Sequence, residues 1–553
     1  MPLSRSTAFS RACTASVVAL AVCASPRAQW GSYSNTNLSP VYVSGGTLTV
    51  NGSLWADVIE VGMSWTRSGV VQVRRGSQSY YFQASQVTRL KINGHNGDDT
   101  IRNNTFLPSE IRGGSGKDHI YGGGGVDVIY GEGGDDLLHG GAGNDTIFGG
   151  LGADVIKGEA GQDRMVAIDG GCDNVIGGSQ WDYLWVDSQD ATDANSNEIN
   201  LNYLHTVSAF EPLRTRFNSA TQGRYFQAQT PSLEPLGQDL LDPVPQDLSL
   251  EQNELAAFWA TPGSMSYVTS EGDPMGPMRQ NNFAHYDLFD AGGPVGSDVQ
   301  QNGLGDCYFM GPLSAIGHHQ PEVIRNMITP LGDGTYAVRF YRAGQPKYLR
   351  IDADLWTTAP MLTRFARPGN GTNIWAPLIE KAYVFFRNDE GVYARIAGGN
   401  SSMIEHHAQT FGATNAESWH MPGSSDEAPS PTPSKEWIYQ WDQSGRPMHW
   451  NVILLTLQAR EFMEKVDQMK QLGRSLYTGF NRNLGALSDQ LPIRENGYRS
   501  GAHIIPILGV ERDAYGTPRA LLLRDQNDPS NIIRLSDPAR ISYLTGRCSV
   551  MKF

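Results

Sequence analysis

Basic charge and long apolar segments are both scarce in this chain of 553 residues. Its 43 Lys and Arg are outnumbered by 57 Asp and Glu, and the resulting formal charge of −14 argues against nucleic acid as a partner. After the first 30 residues no apolar run is long enough to span a bilayer. We therefore expect no integral membrane segment in the mature protein.

The first residues have the pattern of an export signal. Arg5 and Arg11 form a positive start, Ala12 to Ala24 form a short apolar segment, and small residues follow, with cleavage expected after Ala24 or Ala28. We assign residues 1–28 to a signal peptide, with an uncleaved anchor as the alternative, and predict a secreted or envelope-exported bacterial protein. Two of the five cysteines leave with this segment, and the odd number that remains in an exported chain indicates a free thiol.

Glycine, by contrast, is abundant, and the excess is local. From Gly113 the chain repeats without slippage for six nonapeptides, GGSGKDHIY, GGGGVDVIY, GEGGDDLLH, GGAGNDTIF, GGLGADVIK and GEAGQDRMV. Upstream, GHNGDDTIR fits the same frame before a ten-residue interruption. Downstream, after Ala167, IDGGCDNVI and GGSQWDYLW continue the pattern more loosely. A fixed period of this kind is typical of a solenoid.

The residue types explain the repeat. Glycines allow a tight turn and let backbone carbonyls face a cation, and the Asp at the sixth position adds a hard carboxylate oxygen. The apolar residue at the eighth position points inward from a three-residue strand. If two nonapeptides make one coil, Asp residues line both edges, with ions between successive turns. The first edge carries Asp118, Asp136 and Asp154, and the second carries Asp127, Asp145 and Asp163.

These nonapeptides resemble the calcium-binding GGxGxDxUx repeats of RTX proteins. The resemblance implies a parallel β-roll over residues 93–185 that binds Ca²⁺ and is disordered without it. The alternative is a metal-free, glycine-rich linker. The predicted metal ligands are the repeat carboxylates Asp99, Asp118, Asp127, Asp136, Asp145, Asp154, Asp163, Asp173 and Asp182.

The segments on either side of the array lack its period. Residues 40–92 alternate in short strand-like runs, at Thr47–Val50, Val58–Val61, Val70–Val73, Tyr80–Phe82 and Leu90–Ile92. This pattern predicts a small β segment over residues 29–92 that caps the repeats. Residues 186–285 form a connector, and the Pro-rich stretch Thr230 to Pro245 is either a spacer or a propeptide-like segment over a cleft.

A second motif, QNGLGDCYFMGPLSAI (Gln301 to Ile316), predicts a glycine-containing loop followed by a buried helix. Cys307 falls at or just before the first turn, where the helix dipole stabilises a thiolate. Gln301 lies upstream, where its amide could donate to an oxyanion. Pro312 predicts a late start or a kink. The alternative is a buried structural thiol.

From Tyr286 onward the chain resembles the calpain family of papain-like cysteine proteases. QNGLGDCYF is similar to the family's nucleophile block, although Tyr308 replaces the usual Trp. WAPLIEKAYVFF matches the family's Glu-Lys-Ala-Tyr helix. SGAHIIPILGV matches the strand that carries the catalytic His, with Ala502 inserted after Gly501. The resemblance implies a catalytic domain over residues 286–545, followed by a tail at 546–553, with Gln301 in the oxyanion position, Cys307 as nucleophile and His503 as base.

The third catalytic residue has two candidates. In ALLLRDQNDPS, Asp525 takes the position of the family's Asn, and Asn527 follows two residues later. The Pro and Trp that normally follow are missing. An Asp can accept the imidazole N–H and fix the tautomer.

The sequence therefore predicts a multidomain protein, in which an RTX-like parallel β-roll precedes an α+β papain-like, calpain-like protease domain. The expected function is that of a secreted cysteine endopeptidase, with calcium ions and protein or peptide substrates as partners. One alternative is a non-catalytic calcium-binding surface or matrix protein with a degenerate protease domain. Another is a transglutaminase-like acyl transferase, which shares Cys-His-Asp chemistry.

Overall fold

The structure is a computed structural model of the full chain. It describes residues 40–193, 203–208, 279–301, 306–359, 362–363, 366–369, 372–388, 409–419, 449–479, 504–525, 528–536, 541 and 548–553. Two compact units are present. The first contains the described residues up to Ser208, and the second contains those from Arg279.

The first unit is a solenoid of two sheets, with strands numbered here in chain order. One sheet has the order β1 (Val41–Ser44), β2 (Thr47–Asn51), β6 (Arg89–Asn96), β8 (Ser109–Ser115), β10 (Asp127–Gly133), β12 (Thr146–Leu151), β14 (Arg164–Ala167), β16 (Tyr183–Val186) and β18 (Tyr203–Thr206). The other has the order β17 (Ala191–Thr192), β15 (Asn174–Ser179), β13 (Val155–Ala160), β11 (Leu137–Ala142), β9 (His119–Gly123), β7 (Thr100–Asn104), β3 (Val58–Met63), β4 (Val70–Arg75) and β5 (Gln78–Gln83).

The pairing confirms that two nonapeptides make one coil. Parallel strands pair with a shift of 18 residues, as in Ile129 with Ile147 and Leu138 with Ile156. In five of the six in-phase repeats the glycine at the fourth position adopts positive φ, for example 132° at Gly116, where a side chain would be strained. The predicted inward residues are all confirmed at 0% exposure: Ile120, Ile129, Leu138, Ile147, Ile156 and Met165. The strands are longer than the expected three residues, because pairing continues into the glycines.

The strands before the array join the same two sheets. Those predicted at Thr47–Val50, Val58–Val61, Val70–Val73, Tyr80–Phe82 and Leu90–Ile92 are all confirmed. The ten-residue interruption is itself half a coil, because β8 pairs with β10 in the register of the repeats and sets Ile111 beside Ile129. GSLWADVIE (Gly52 to Glu60) was not recognised from the sequence as a repeat. It is one, because Ile59 pairs with Ile101 in the same register as the other repeats.

The second unit mixes helices with antiparallel sheets. Its helices are α1 (Cys307–His319), α2 (Pro321–Arg325), α3 (Trp375–Asn388) and α4 (His449–Gln471). Two three-stranded sheets have the orders β19 (Arg279–Asn282), β23 (Asp354–Ala359), β24 (Leu362–Thr363) and β20 (Ile328–Pro330), β21 (Thr335–Arg342), β22 (Gln345–Asp352). A six-stranded sheet has the order β25 (Asn415–Trp419), β30 (Cys548–Lys552), β26 (Ser475–Gly479), β27 (Ile504–Arg512), β28 (Pro518–Asp525) and β29 (Asp528–Leu535).

Helix α1 is the centre of this unit. Phe309 stacks on Tyr383 of α3 with ring centroids 3.8 Å apart. The hydroxyl of Ser314 donates to the Gly296 carbonyl at 2.7 Å, which fixes the helix against the preceding loop. Both aromatic side chains are fully buried, so replacing Phe309 with Ala should cost about 3–5 kcal/mol.

One of the two effects expected of Pro312, a late start of α1, is wrong. The helix begins at Cys307 and continues through the proline to His319. Apolar packing on α1 offsets the backbone hydrogen bond that Pro312 cannot make. The helix implied by the resemblance of WAPLIEKAYVFF is confirmed by α3.

Candidate functional site

The repeat Asp residues form a hydrogen-bonded ladder along each edge of the solenoid. In each step the backbone N–H of one Asp donates to Oδ1 of the Asp in the next coil, at 2.6–3.0 Å. One ladder runs through Asp57, Asp99, Asp118, Asp136, Asp154, Asp173 and Asp190, and the other through Asp127, Asp145, Asp163 and Asp182. The predicted division of the Asp residues between two edges is confirmed.

The second oxygen of each ladder carboxylate, Oδ2, takes no part in the hydrogen bonds between neighbouring coils. In eight of these residues Oδ2 is buried and accepts no hydrogen bond from any described group: Asp99, Asp118, Asp127, Asp136, Asp145, Asp154, Asp163 and Asp173. In seven of the eight, all but Asp173, this oxygen lies against the first glycine of its own repeat. A Cβ on Gly131, for instance, would meet both Oδ2 of Asp136 and the carbonyl oxygen of Gly149. Carboxylate and carbonyl oxygens therefore converge without a donor between them.

Burial in this setting disfavours the charged form of each carboxyl. Desolvation raises the pKa of Asp127 to about 6, and desolvation with repulsion from neighbouring Asp residues raises the pKa of Asp136 and Asp163 to about 8. A hard divalent cation would relieve both the desolvation and the repulsion. No group of three or more His, Cys, Asp or Glu side chains is arranged as a metal site within the described ranges. An ion here would therefore use carboxylate oxygens together with backbone carbonyls, and the donor set fits calcium.

The ladders end on protein donors, which were not recognised from the sequence. Asp57 begins one ladder, and its Oδ2 accepts the Ser53 hydroxyl at 2.7 Å. Asp190 ends the same ladder, and its Oδ2 accepts the Asp187 N–H at 2.9 Å. On the other edge Ser109 stands in place of an Asp and donates to Asp127 Oδ1. The spacing of Asp57 from Gly52 could have identified the first of these residues.

In the second unit, Cys307 is the first residue of α1. Its backbone is described, whereas its side chain lies outside the described residues. Gln301 is only 8% exposed, and its Nε2 donates to Oδ1 of Asp306 at 3.2 Å. The Phe309 N–H donates to the Asp306 carbonyl at 2.7 Å and closes the first helical turn. The predicted nucleophile thus begins a buried helix, with the predicted oxyanion residue anchored beside it.

His503 and Asn527 both lie outside the described residues, but the strands next to them are described. Ile504 begins β27 and belongs to the same apolar core as Tyr308 and Phe309 of α1. Asp525 ends β28 and is 1% exposed. Ile507 of β27 pairs with Leu523 of β28, two residues before Asp525. β27 and β28 form a hairpin that turns at Tyr515-Gly516, where Gly516 has a φ of 79°.

Two buried carboxyl groups near α1 were not recognised from the sequence. Asp306 and Glu380 are 0% and 1% exposed, and burial raises the pKa of Asp306 to about 7 and that of Glu380 well above its usual range. Asp306 immediately precedes Cys307, and Glu380 is the acid of the Glu-Lys-Ala-Tyr block. The adjacent Lys381 is already engaged with Asp352.

Comparisons with known proteins agree with this arrangement. Residues 256–463 match the family model of calpain family cysteine proteases, and residues 110–138 and 130–165 match the RTX calcium-binding nonapeptide repeat. The chain therefore contains a calpain-family cysteine protease domain preceded by RTX calcium-binding repeats. The calpain match includes Gln301 and Cys307 and ends before His503. Of the described helices, none is long and apolar enough to cross a membrane.

Individual relatives are calpains from animals. Calpain-5 of Caenorhabditis elegans is 29% identical over 180 residues, which are 31% of this chain and 24% of the relative. A calpain of Schistosoma mansoni is 30% identical over 122 residues, which are 21% of this chain and 16% of the relative. Calpain-8 of Mus musculus is 28% identical over 120 residues, which are 20% of this chain and 16% of the relative. The chain thus spans about a quarter or less of these relatives' lengths.

Proposed function

We propose that this chain is an exported, calcium-binding cysteine endopeptidase whose catalytic residues are Cys307, His503 and Asp525. The observation that best supports the proposal is the shared apolar core of α1 and β27. The helix begins with the candidate nucleophile, and the strand begins directly after the candidate base. Residues that are far apart in sequence are thereby carried by elements that pack together, as nucleophilic catalysis requires.

In the first half of the reaction, the Cys307 thiol gives its proton to His503, and the sulfur attacks the carbonyl carbon of a peptide bond. The oxyanion that forms accepts hydrogen bonds from the Gln301 side chain and the Cys307 backbone N–H. As the C–N bond breaks, the His503 imidazolium donates its proton to the departing amine. A thioester remains on Cys307.

In the second half, His503 takes a proton from water as the water oxygen attacks the thioester. The C–S bond breaks, the acid product leaves, and the thiolate is regenerated. Asp525 would accept the other N–H of the imidazole, which fixes its tautomer and stabilises the imidazolium. Asn527 is the alternative acceptor. Asp525 is favoured because it lies nearer in the chain to the described pairing of β27 with β28.

The repeat unit would hold calcium through the ladder carboxylates and the neighbouring glycine carbonyls. The cation supplies charge neutralisation for buried carboxylates that otherwise lack donors. In this proposal the ion stabilises the fold of the roll and does not participate in peptide hydrolysis.

The decisive experiment compares the mature protein with two cysteine variants in a casein hydrolysis assay. Cys307→Ala should abolish hydrolysis and labelling by a thiol-directed epoxide. Cys172→Ser is the matched control, because Cys172 is a partly exposed cysteine in the roll. That variant should hydrolyse and label like the wild type.

Normal hydrolysis by the Cys307→Ala protein would refute the assignment of the nucleophile. Absence of both hydrolysis and labelling in the wild type would favour a non-catalytic calcium-binding protein. Incorporation of an amine acceptor in preference to water would favour an acyl transferase.

A further inference from the structure

The last residue of α1 is hydrogen-bonded to strand β27. Nε2 of His319 lies 2.7 Å from the carbonyl oxygen of Ile507. A carbonyl oxygen can only accept, so Nε2 carries the hydrogen and donates it. Burial lowers the pKa of His319 to about 4, and the nearby His318 and Lys470 add to the effect. The imidazole is therefore neutral near pH 7, with its one hydrogen on Nε2.

The sheet itself holds β27 loosely at this point. Within the described residues, the pairing of β27 with β26 runs from Ile504 to Pro506 and stops there. Pro506 has no backbone N–H to give to a neighbouring strand. On the other side, the pairing with β28 shifts its register between Ile507 and Gly509. Ile507 thus lies where the ladder of hydrogen bonds is interrupted on both sides.

The end of α1 supplies the missing connections. His319 bonds to β27, and the next residue, Gln320, accepts the hydroxyl of Ser475, the first residue of β26, at 2.7 Å. Helix α1 and Ile504 also share an apolar core. Apolar packing is non-directional, whereas a hydrogen bond requires a defined distance and angle. The bond from His319 therefore fixes where along its length β27 meets the helix.

This position matters because of what the two elements carry. Helix α1 begins with Cys307, and Ile507 follows His503 by four residues. A slip of β27 by one residue would move the imidazole by about 3.3 Å and turn it to the other face of the sheet. A misplacement of about 1 Å in a catalytic group can cost about 10²-fold in rate.

We propose that His319 is a positioning residue that holds His503 within reach of Cys307 by fixing β27 to the end of α1. The inference rests on the proposed peptidase function and adds one residue to it. His319 and Cys307 occupy opposite ends of the helix, about 18 Å apart along its axis. His319 therefore acts through the strand and does not touch the reacting atoms.

The test measures the pH at which alkylation of Cys307 by iodoacetamide reaches half its maximal rate, followed on the Cys307 peptide by mass spectrometry. A thiol paired with an imidazole ionises well below the value of about 8.5 for a free thiol. His319→Leu removes the donated hydrogen bond. The midpoint should rise by about one pH unit or more toward 8.5, and kcat/KM for a peptide should fall by about 10- to 100-fold.

Two variants serve as controls. His319→Gln places an amide N–H near the position of the imidazole N–H, so it should recover most of the hydrolysis and the wild-type midpoint. Glu511→Gln breaks an ion pair between Glu511 and Arg534 at the exposed face of β27. It changes the same strand away from α1 and should leave both measurements unchanged.

A wild-type midpoint in a folded His319→Leu protein would overturn the inference even if hydrolysis were slower. A purely structural role lowers the folded fraction without changing the pKa of Cys307. An equal shift in Glu511→Gln would also overturn it, because the effect would not depend on α1. If His319→Leu does not fold, His319→Asn, whose amide is too short to reach Ile507, must show the same shift. A wild type with a midpoint near 8.5 and no hydrolysis would instead refute the proposed function.

Discussion

The two units of this protein both bury carboxyl groups, and they hold the negative charge by different means. In the roll, carboxylate oxygens such as Asp136 Oδ2 lie beside glycine carbonyls and receive no donor from the described protein. In the protease unit, burial and repulsion from Asp306 raise the pKa of Glu380 well above its usual range, which favours its neutral form, and Asp306 receives an N–H from Gln301. Desolvation raises the pKa of the acids in both places.

The difference follows from how each set of acids is connected. Two carboxyl groups in contact need only one proton to relieve their repulsion. The ladder carboxylates do not pair with one another, because each Oδ1 is already bound to a backbone N–H in the neighbouring coil. Each remaining oxygen must therefore be neutralised separately, by a proton or by a cation. Buried carboxylate oxygens that lack hydrogen-bond donors and cannot share a proton therefore indicate a requirement for a metal ion. A large number of acidic residues alone does not.

The largest effect that this comparison predicts is unfolding of the repeat unit when calcium is removed. Adding EDTA to the full chain at neutral pH should abolish most of the β-sheet circular dichroism of the repeats, because uncompensated carboxylates oppose folding. Calcium should restore the signal. Magnesium should not, because it demands octahedral geometry and retains its water.

The pair formed by Asp306 and Glu380 in the protease unit needs no metal. The helical signal of that unit therefore provides an internal control in the same spectrum. A β-sheet signal that is equal with and without EDTA would show that the ladders are stable without a cation. The contrast between the two units would then fail.

A smaller effect is expected from pH. In EDTA, the pKa values of Asp118 and Asp127 are raised to about 6 and that of Asp136 to about 8, from 3.8. The folded apo roll therefore binds more protons than the unfolded chain over this range. Its free energy of unfolding should increase as pH falls from about 8 toward 3.8. The β-sheet circular dichroism that remains in EDTA should therefore be larger at pH 5 than at pH 8.

With calcium bound, the roll should instead be more stable at pH 8 than at pH 5, because protons compete with the ion for the same oxygens. A metal-free roll that is more stable at pH 8 than at pH 5 would contradict the assigned cause of the pKa shifts.

The roll could be predicted almost completely from the sequence, because its period repeats one local interaction many times. The inward residues, the 18-residue pairing and the two Asp edges all follow from a nine-residue frame. Where the frame is imperfect the prediction missed residues. Asp57 keeps the spacing of the repeat but has few of its glycines, and Ser109 occupies a ladder position that only the strand register reveals.

The protease unit was less predictable, since its site is built from distant segments. The helix after Gln301 follows from local periodicity, but the contact of Asp306 with Glu380 joins positions that no short pattern connects. The effect of Pro312 was misjudged for the same reason. Local propensity opposes a helix there, whereas packing against α3 and the sheets, which the sequence does not display, stabilises it.

The smallest predicted effect compares two Asp residues of one ladder. Asp136→Asn retains an oxygen that can accept the Asp118 N–H, but it replaces the donor-free Oδ2 with an uncharged NH₂ group. Asp57→Asn is the matched control, because Oδ2 of Asp57 already receives the Ser53 hydroxyl. In a calcium titration followed by circular dichroism, Asp136→Asn should raise the midpoint by about threefold or more, since ligand charge sets affinity. Asp57→Asn should leave the midpoint near that of the wild type. Equal shifts in the two variants would mean that net charge along the ladder, rather than the missing donor at each oxygen, governs calcium binding.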